Sequence, residues 1–373
     1  MRVTSFNQGA AGAGMMGAAT LDHALRAGLG ARPDVELELI GPAPSSLAQK
    51  LAARPYPVLA GLDVDLHPVR WHRVESGKAR RAVERALAAS GRPDALLVNS
   101  HAVSFGLGRV MAEVPTVLHV DTLAWPWAEM GIWRPVRPYS RLALAPSTRA
   151  EARVLRAAAA VLAWTGWAER QVRDLVPDAR VVRWHPGVDT ARYRPAPRRP
   201  GTPYVLFVGG RFAQKGGPEL QAALAPRLGR DLELHVVTPE ETPTGPGVVV
   251  HRLGSSDPEL LDLVQQASVL CLPTRGDTNP WVLLEAMASG VPVVSTTVGA
   301  IPELLDDGAA GVLVPPGDVR ALRAGLGAVL DDADLAAGLA ARALDVVRER
   351  YDARTQGDRL ADLLQELVGA PRR

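Results

Sequence analysis

A single cysteine, Cys271, stands among 373 residues. That excludes a disulfide within the chain and fits a reducing compartment. No four-ligand cysteine or histidine spacing of the structural-zinc kind is present. Lysine is almost missing, occurring only at 50, 78 and 215, so the basic side is nearly all arginine. A formal net charge of +2 gives no electrostatic case for a nucleic-acid partner. The N-terminus lacks a charged region, an apolar stretch and a cleavage site in that order, which argues against a secretory signal. The longest charge-free apolar run of note, AAAAVLAWTGWA (157–168), falls short of the roughly 20 residues a bilayer needs. A cytoplasmic location is expected. Abundant Ala, Gly, Pro and Arg suggest coding in a GC-rich bacterial genome.

What the chain does have is alternation. Strand-like runs RVTSF, VELELI, ALLVNS, TVLHV and AVLAW are spaced by helical patterns at 18–29, 78–90, 147–159 and 167–174. YVLFVGG, LELHVV, VVVHRLG, SVLCLP, VPVVST and GVLVP follow, spaced by 218–227, 258–267, 281–289 and 319–345. Strand and helix alternating throughout read as two doubly wound α/β domains. Continuous apolar strands such as VLFV suit parallel sheets covered on both faces. The Pro- and Arg-rich stretch 186–203 interrupts all periodicity. The expected division is a domain over 1–190, a linker over 191–203, a second domain over 204–351 and a final amphipathic helix over 352–373.

GAGMMG (12–17) has the G-x-G-x-x-G spacing of a dinucleotide fingerprint. Two contextual requirements fail. NQGAA separates the strand from Gly12, and VELELI ends in GPAPSS with no acid to hold a ribose. A nicotinamide or flavin cofactor is therefore not expected. Gly12 and Gly14 fit either a tight packing turn or a backbone approach to another ligand.

The second half carries more chemistry. In YVLFVGGRFAQKGGPELQAAL (204–224) a buried strand ends in Gly209-Gly210, followed by Arg211 and Lys215. Such a pair can hold a diphosphate, the fork of Arg beside the point charge of Lys, or be two solvated surface cations. In CLPTRGDTNPWVLLEAMASG (271–290) a helix is expected to start near Pro280 or Trp281. The first-turn amides of Trp281 and Val282 would then lack intrahelical partners and favour an anion. Glu285 lies in the apolar run LLEAMA, where a carboxylate is either paired or awaiting a ligand's hydroxyls.

The set GGRFAQKGG, DTNPWVLLEAMASGVPVVSTTVGAIPELL and GVLVPPGD resembles the nucleotide-sugar half of retaining glycosyltransferases of family 4. WHPGVDTARYRP resembles the element that precedes that family's linker, and the final helix resembles the one that crosses back to the first domain. The resemblance implies the GT-B fold, two Rossmann-like domains facing across a cleft. It implies transfer from a nucleoside-diphosphate sugar to a hydroxyl acceptor. By the same resemblance Arg211 and Lys215 neutralise the leaving diphosphate, Glu285 holds the ribose hydroxyls, and Asp277 lies beside the transferred sugar. His101 reaches the donor sugar from the first domain, and Gly12 and Gly14 lie near donor and acceptor. Gly210, Thr278, Asn279, Trp281 and Val282 complete the expected donor site. The chain departs from the pattern where Asp277 replaces Glu, where Thr278-Asn279-Pro280 replaces the common Gly-Phe-Gly, and where Asp121 stands for a frequent histidine. These departures bear on the donor sugar more than on the reaction class.

No D-x-D of the metal-binding kind marks the second half; Asp63-Val64-Asp65 has the spacing but lies in the first and reads as a solvated turn. Metal independence is expected, with no cofactor. On the acceptor side the tryptophans and arginines of 125–141 suit sugar stacking, a membrane surface, or inward packing. The basic segment 67–92 reads as a solvated helix face or, alternatively, a patch for anionic lipid headgroups. Two further functions share the fold: a nucleotide-sugar epimerase or hydrolase, and a catalytically silent nucleotide-binding or assembly protein.

Overall fold

The computed structural model describes residues 1–8, 16–42, 45–52, 67–131, 136 and 139–370. Its strands in chain order are β1 Arg2–Phe6, β2 Glu36–Ile40, β3 Ala95–Val98, β4 Thr116–Val120, β5 Ala160–Ala163 and β6 Val181–Arg183. They continue as β7 Tyr204–Val208, β8 Glu233–Val237, β9 Val248–His251, β10 Val269–Leu272, β11 Val293–Thr296 and β12 Val312–Val314. The helices are α1 Met16–Ala27, α2 Leu47–Ala52, α3 His67–Ser90, α4 Gly108–Glu113, α5 Ala124–Glu129, α6 Ser140–Ala157 and α7 Gly166–Leu175. After them come α8 Gly217–Leu224, α9 Pro258–Gln266, α10 Trp281–Ala288, α11 Ile301–Leu304, α12 Val319–Asp331, α13 Ala333–Val346 and α14 Ala353–Gly369.

The described residues divide into two compact units. One comprises those within Met1–Ala13, Leu25–His185 and Gln356–Arg373; the other, those within Gly14–Ala24 and Pro186–Thr355. The Pro- and Arg-rich stretch thus packs within the second unit. Its Val188 N–H donates to Tyr351 O at 2.7 Å, and Val188 O accepts from Ala353 N at 3.0 Å.

Each unit is built on one parallel sheet. The first has the order β2-β1-β3-β4-β5-β6, the second β12-β11-β10-β7-β8-β9. Strands β3, β4, β5 and β10 are buried at every residue, as continuous apolar runs under helices on both faces require. Phe207 on β7 and Leu96 on β3 are among the largest side chains wholly withdrawn from water. In both sheets the strand order reverses once, between β1 and β3 and between β7 and β10. Such a reversal sends successive crossovers to opposite sides and leaves a crevice at the strands' carboxyl ends, where open α/β sheets bind ligands.

Helix α3 starts at His67, well before the periodicity expected at 78, and is not a uniformly solvated face. His72, Glu75, Ser76 and Lys78 are buried. Lys78 Nζ lies 2.9 Å from Glu75 Oε2 and 2.9 Å from Ser45 Oγ. Arg73, Arg80, Arg81 and Arg85 remain exposed.

Candidate active site

Strands β7 and β10 are neighbours at the reversal of the second sheet, so the loops leaving them meet. After β7, the Gly209 N–H donates to Val237 O at 3.0 Å and the Phe212 N–H to Glu240 Oε2 at 2.8 Å. The chain then turns sharply at Gly216, with φ of +83°. A Cβ there would lie 2.0 Å from Pro273 O, and one on Gly217 would lie 2.3 Å from the Phe212 ring. Only glycine lets this loop lie directly on the segment that follows β10. These two residues explain part of the GGRFAQKGG pattern: they are required by packing, and they set Lys215 against the neighbouring loop.

That neighbouring loop is tied down from within. Thr274 Oγ1 donates to Gly276 O at 3.0 Å and accepts from Gly276 N at 3.1 Å, while Thr296 Oγ1 donates to Thr274 O at 2.7 Å. The Arg275 N–H donates to Gln214 O at 3.3 Å, and the Arg275 guanidinium pairs with Glu219. The result is a contact between two site residues expected from sequence. Lys215 Nζ pairs with the Asp277 carboxylate and donates to Gly276 O at 3.3 Å. Their side chains retain 21% and 15% exposure, enough for a ligand to compete for the ammonium. Arg211 lies one turn earlier, its carbonyl accepting from Lys215 N at 2.9 Å. Its guanidinium is exposed, with Nη1 3.5 Å from Gln214 Oε1. A Cβ on Gly210 would meet nothing within 4 Å, so the backbone there faces open space.

The Asp277 loop runs into α10 through Thr278 and Asn279, both buried, and through Pro280. Thr278 O accepts from Ala300 N at 3.3 Å, and Pro280 O from Leu283 N at 3.1 Å. Pro280 supplies no side-chain cap at the start of α10, where Trp281 and Val282 form the first turn. All eight residues of the helix are buried. The positive end of its dipole therefore lies at the carboxyl edge of the sheet, beside the two cations' loop.

Glu285 sits further into α10 and is held by a different set. It is 5% exposed. Burial pushes its carboxyl up to about 7, against hydrogen bonds from Tyr193 and Thr20 and the charge of Arg192, which favour the ionised form. Burial likewise raises the Tyr193 hydroxyl. Tyr193, Arg192 and Thr20 were missed from sequence. Tyr193 lies in the Pro- and Arg-rich stretch, where an aromatic flanked by charge was the available signal.

In the first unit, His101 opens the turn after β3 and is 4% exposed. Its Nε2 lies 2.8 Å from Glu151 Oε1, which also accepts from Ala124 N at 2.8 Å. Burial drives the nearby His72 down to about 4. Part of 125–141 is described: the Arg141 guanidinium lies 4.6 Å from the Trp125 ring centroid, at the wall of a cavity of about 560 Å³ that Glu151 and Gln171 also line. Gly12, Gly14 and the Asp63-Val64-Asp65 turn lie outside the described residues. Among the described residues, no three His, Cys, Asp or Glu side chains are grouped to hold a metal ion, and no helix is long and apolar enough to cross a membrane.

Two parallel doubly wound units, the second with a lysine–carboxylate pair at its sheet reversal, define a GT-B architecture. Solved structures agree on the fold. Sucrose-phosphate synthase from Thermosynechococcus elongatus superposes with a TM-score of 0.75 at 18% identity over the whole of both chains. Anabaena Alr3699/HepE, solved in complex with UDP and glucose, gives 0.65 at 16% identity over 98% of this chain and all of that one. The family model for glycosyl transferases group 1 matches residues 202–332, and that for glycosyltransferase family 4 matches 17–192. Between them the two models assign glycosyltransferase domains to both parts of the chain. Among curated relatives, the MMP alpha-(1->4)-mannosyltransferase of Mycolicibacterium hassiacum is 38% identical over 158 residues, 39% of this chain and 38% of that protein. The phosphatidyl-myo-inositol mannosyltransferase of Mycolicibacterium smegmatis is 36% identical over 182 residues, 44% and 47% of the two. The chain thus matches about half or less of the length of these relatives.

Proposed function

We propose that the protein transfers a sugar from a nucleoside-diphosphate sugar to a hydroxyl acceptor, with retention at the anomeric carbon. The observation that carries this reading is the Lys215–Asp277 pair at the reversal between β7 and β10, with the exposed Arg211 one turn away. In the reaction the bond from the anomeric carbon to the diphosphate breaks and its electron pair leaves with the phosphate oxygen. The acceptor oxygen forms the new C–O bond on the face the diphosphate leaves, which keeps the anomeric configuration, and its proton passes to the departing phosphate oxygen. Arg211 and Lys215 meet the growing negative charge, and the start of α10 adds the positive end of its dipole. Fixed charges aimed at a leaving group lower the barrier because they need no reorganisation during reaction.

In this reading Asp277 orients Lys215 and lies beside the transferred sugar, and Glu285 takes the ribose hydroxyls. Gly210, Thr278, Asn279, Trp281 and Val282 line the donor position, and His101, Gly12 and Gly14 serve donor and acceptor from the N-terminal side. Arg211 and Lys215 supply the charge a divalent metal would otherwise bring, which supports metal independence without a cofactor. The UDP and glucose in HepE support UDP as the nucleotide. The acceptor falls to the first unit, where Trp125 offers a ring face for sugar stacking. A cytoplasmic location, with contact to anionic membranes through the exposed arginines of α3, completes the reading; liposome co-sedimentation at two salt concentrations tests that contact.

A thermal-shift screen of UDP, GDP, ADP and their sugars tests the function. A ligand present at a hundred times its Kd stabilises by about 2.7 kcal/mol. One nucleotide series is expected to raise the melting temperature selectively. No shift with any of them would overturn the reading.

A further inference from the structure

Glu285 is held far more deliberately than a carboxylate in an apolar helix needs to be. Thr20 of α1 and Tyr193 both hydrogen-bond its side chain. Tyr193 is itself buried, with the Arg192 guanidinium 5.5 Å from its ring centroid. Arg192 is in turn fixed: its N–H donates to Asp189 Oδ1 at 3.3 Å, Nη2 donates to Ser255 O at 3.4 Å, and Nη1 lies 3.3 Å from His23 Nε2. A cavity of about 20 Å³, room for one water, is lined by Thr20, His23, Asp189, Arg192, Tyr193 and Ser255. A phenylalanine at 193 would fill the same core volume without burying a hydroxyl, so packing alone does not call for the phenol.

We infer that Tyr193 is a positioning residue for nucleotide binding, its hydroxyl acting with that of Thr20 to orient the Glu285 carboxylate for a ribose. The inference rests on the donor-site reading above. Its physical basis is competition. Burial favours the protonated acid, while a hydroxyl donating to the carboxylate favours the charged form, which accepts two ribose hydroxyls at once. The groups acting on Glu285 are Tyr193, Thr20 and Arg192, with Asp189 acting through Tyr193 and Arg192 and His23 through Arg192. On the other elements packed against α10, the titratable residues are Cys271 of β10, Tyr351 of the π-turn 347–351, and charged side chains turned to the surface. Those are Glu259 and Asp262 of α9, Asp345 of α13, Arg348, Glu349 and Arg350 of the π-turn, and Arg342 of α13, which pairs with Asp306.

The test is calorimetric titration with UDP, GDP and ADP from pH 6 to 9 on wild type, Tyr193→Phe, Thr20→Val and Glu285→Gln, with melting temperatures alongside. Tyr193→Phe is expected to stay folded with a modest drop in melting temperature and to bind the best nucleotide about ten-fold more weakly at pH 7, since without the phenol's hydrogen bond less of the Glu285 carboxyl is ionised. The deficit should close by pH 9, where Glu285 ionises without help. Thr20→Val should shift the profile the same way, by less. Equal affinity of Tyr193→Phe and wild type at every pH overturns the inference. A deficit of the same size at every pH also overturns it, because that marks lost packing only. If wild type binds no nucleotide, or Glu285→Gln binds as wild type does, the donor-site reading itself falls and the role of Tyr193 falls with it.

Discussion

Replacing Glu285 by Gln should change how stability depends on pH, by an amount that burial sets. In the folded protein burial raises this carboxyl from 4.5 to about 7. That interval corresponds to about 3 kcal/mol between the two protonation states. The unfolded chain releases the proton near 4.5, the folded chain only near 7, so between these values the folded state binds more protons. Stability contributed by the group is therefore fully present below pH 4.5, is lost as pH rises through the window, and levels off above about 7. Gln has nothing to titrate. Relative to wild type, Glu285→Gln should gain about 2 kcal/mol between pH 5 and pH 8, whatever constant offset the amide introduces. For a unit of this size that is a melting-temperature difference growing by about 5 °C, at roughly 2–4 °C per kcal/mol. Scanning calorimetry of both proteins at half-unit pH steps measures it. A difference that stays flat from pH 5 to pH 8.5 would show that Glu285 ionises as an exposed carboxylate does and would refute the burial argument. The same substitution should weaken nucleotide binding at pH 8, since a buried acid kept for a ligand trades stability for function.

Arg211→Ala and Lys215→Ala should each lower turnover about a hundredfold or more, the cost of removing one donor from a developing charge; unchanged transfer in both would remove the leaving-group assignment. Gly216→Ala places a side chain at a φ of +83°, costing about 1–3 kcal/mol for the backbone alone, and drives Cβ into Pro273 O, so its urea midpoint should fall and Lys215 should lose its register with Asp277. Asp352→Ala removes a side chain whose Oδ1 accepts from Thr355 N at 2.9 Å at the start of α14. It should cost about 1 kcal/mol in chemical denaturation, and no change in midpoint would show that the cap contributes nothing.

The parallel-sheet architecture was legible because its strands are uninterrupted apolar runs. YVLFV and VLCL could hardly be anything else between helical patterns. Strand β6 was not, since Val181–Arg183 is three residues long and carries no buried position. The single helix expected over 319–345 is two helices, broken where the Asp332 side chain accepts from Leu335 N at 2.9 Å and starts a new one. Asp is a poor interior helix former and a favoured cap, so the acidic stretch ends one helix and starts the next. Helix α3 was shortened because its first turns are basic, and charge hid the buried pair of Glu75 with Lys78. At the site, proximity along the chain was readable and proximity in space was not. Arg211 and Lys215 share one loop and could be paired from the sequence itself, whereas Asp277 joined Glu285 only through the family resemblance. That Lys215 meets Asp277 depends on β7 and β10 being neighbours, and that Tyr193 and Thr20 meet Glu285 depends on chain segments far apart in sequence.

The most direct measurement is the affinity of wild type and Lys215→Ala for a nucleoside diphosphate and for the matching nucleoside. Wild type should bind the diphosphate far more tightly than the nucleoside, and Lys215→Ala should lose most of that difference while its nucleoside affinity stays put. Equal diphosphate affinity in the two proteins would contradict a lysine placed to grip the leaving group.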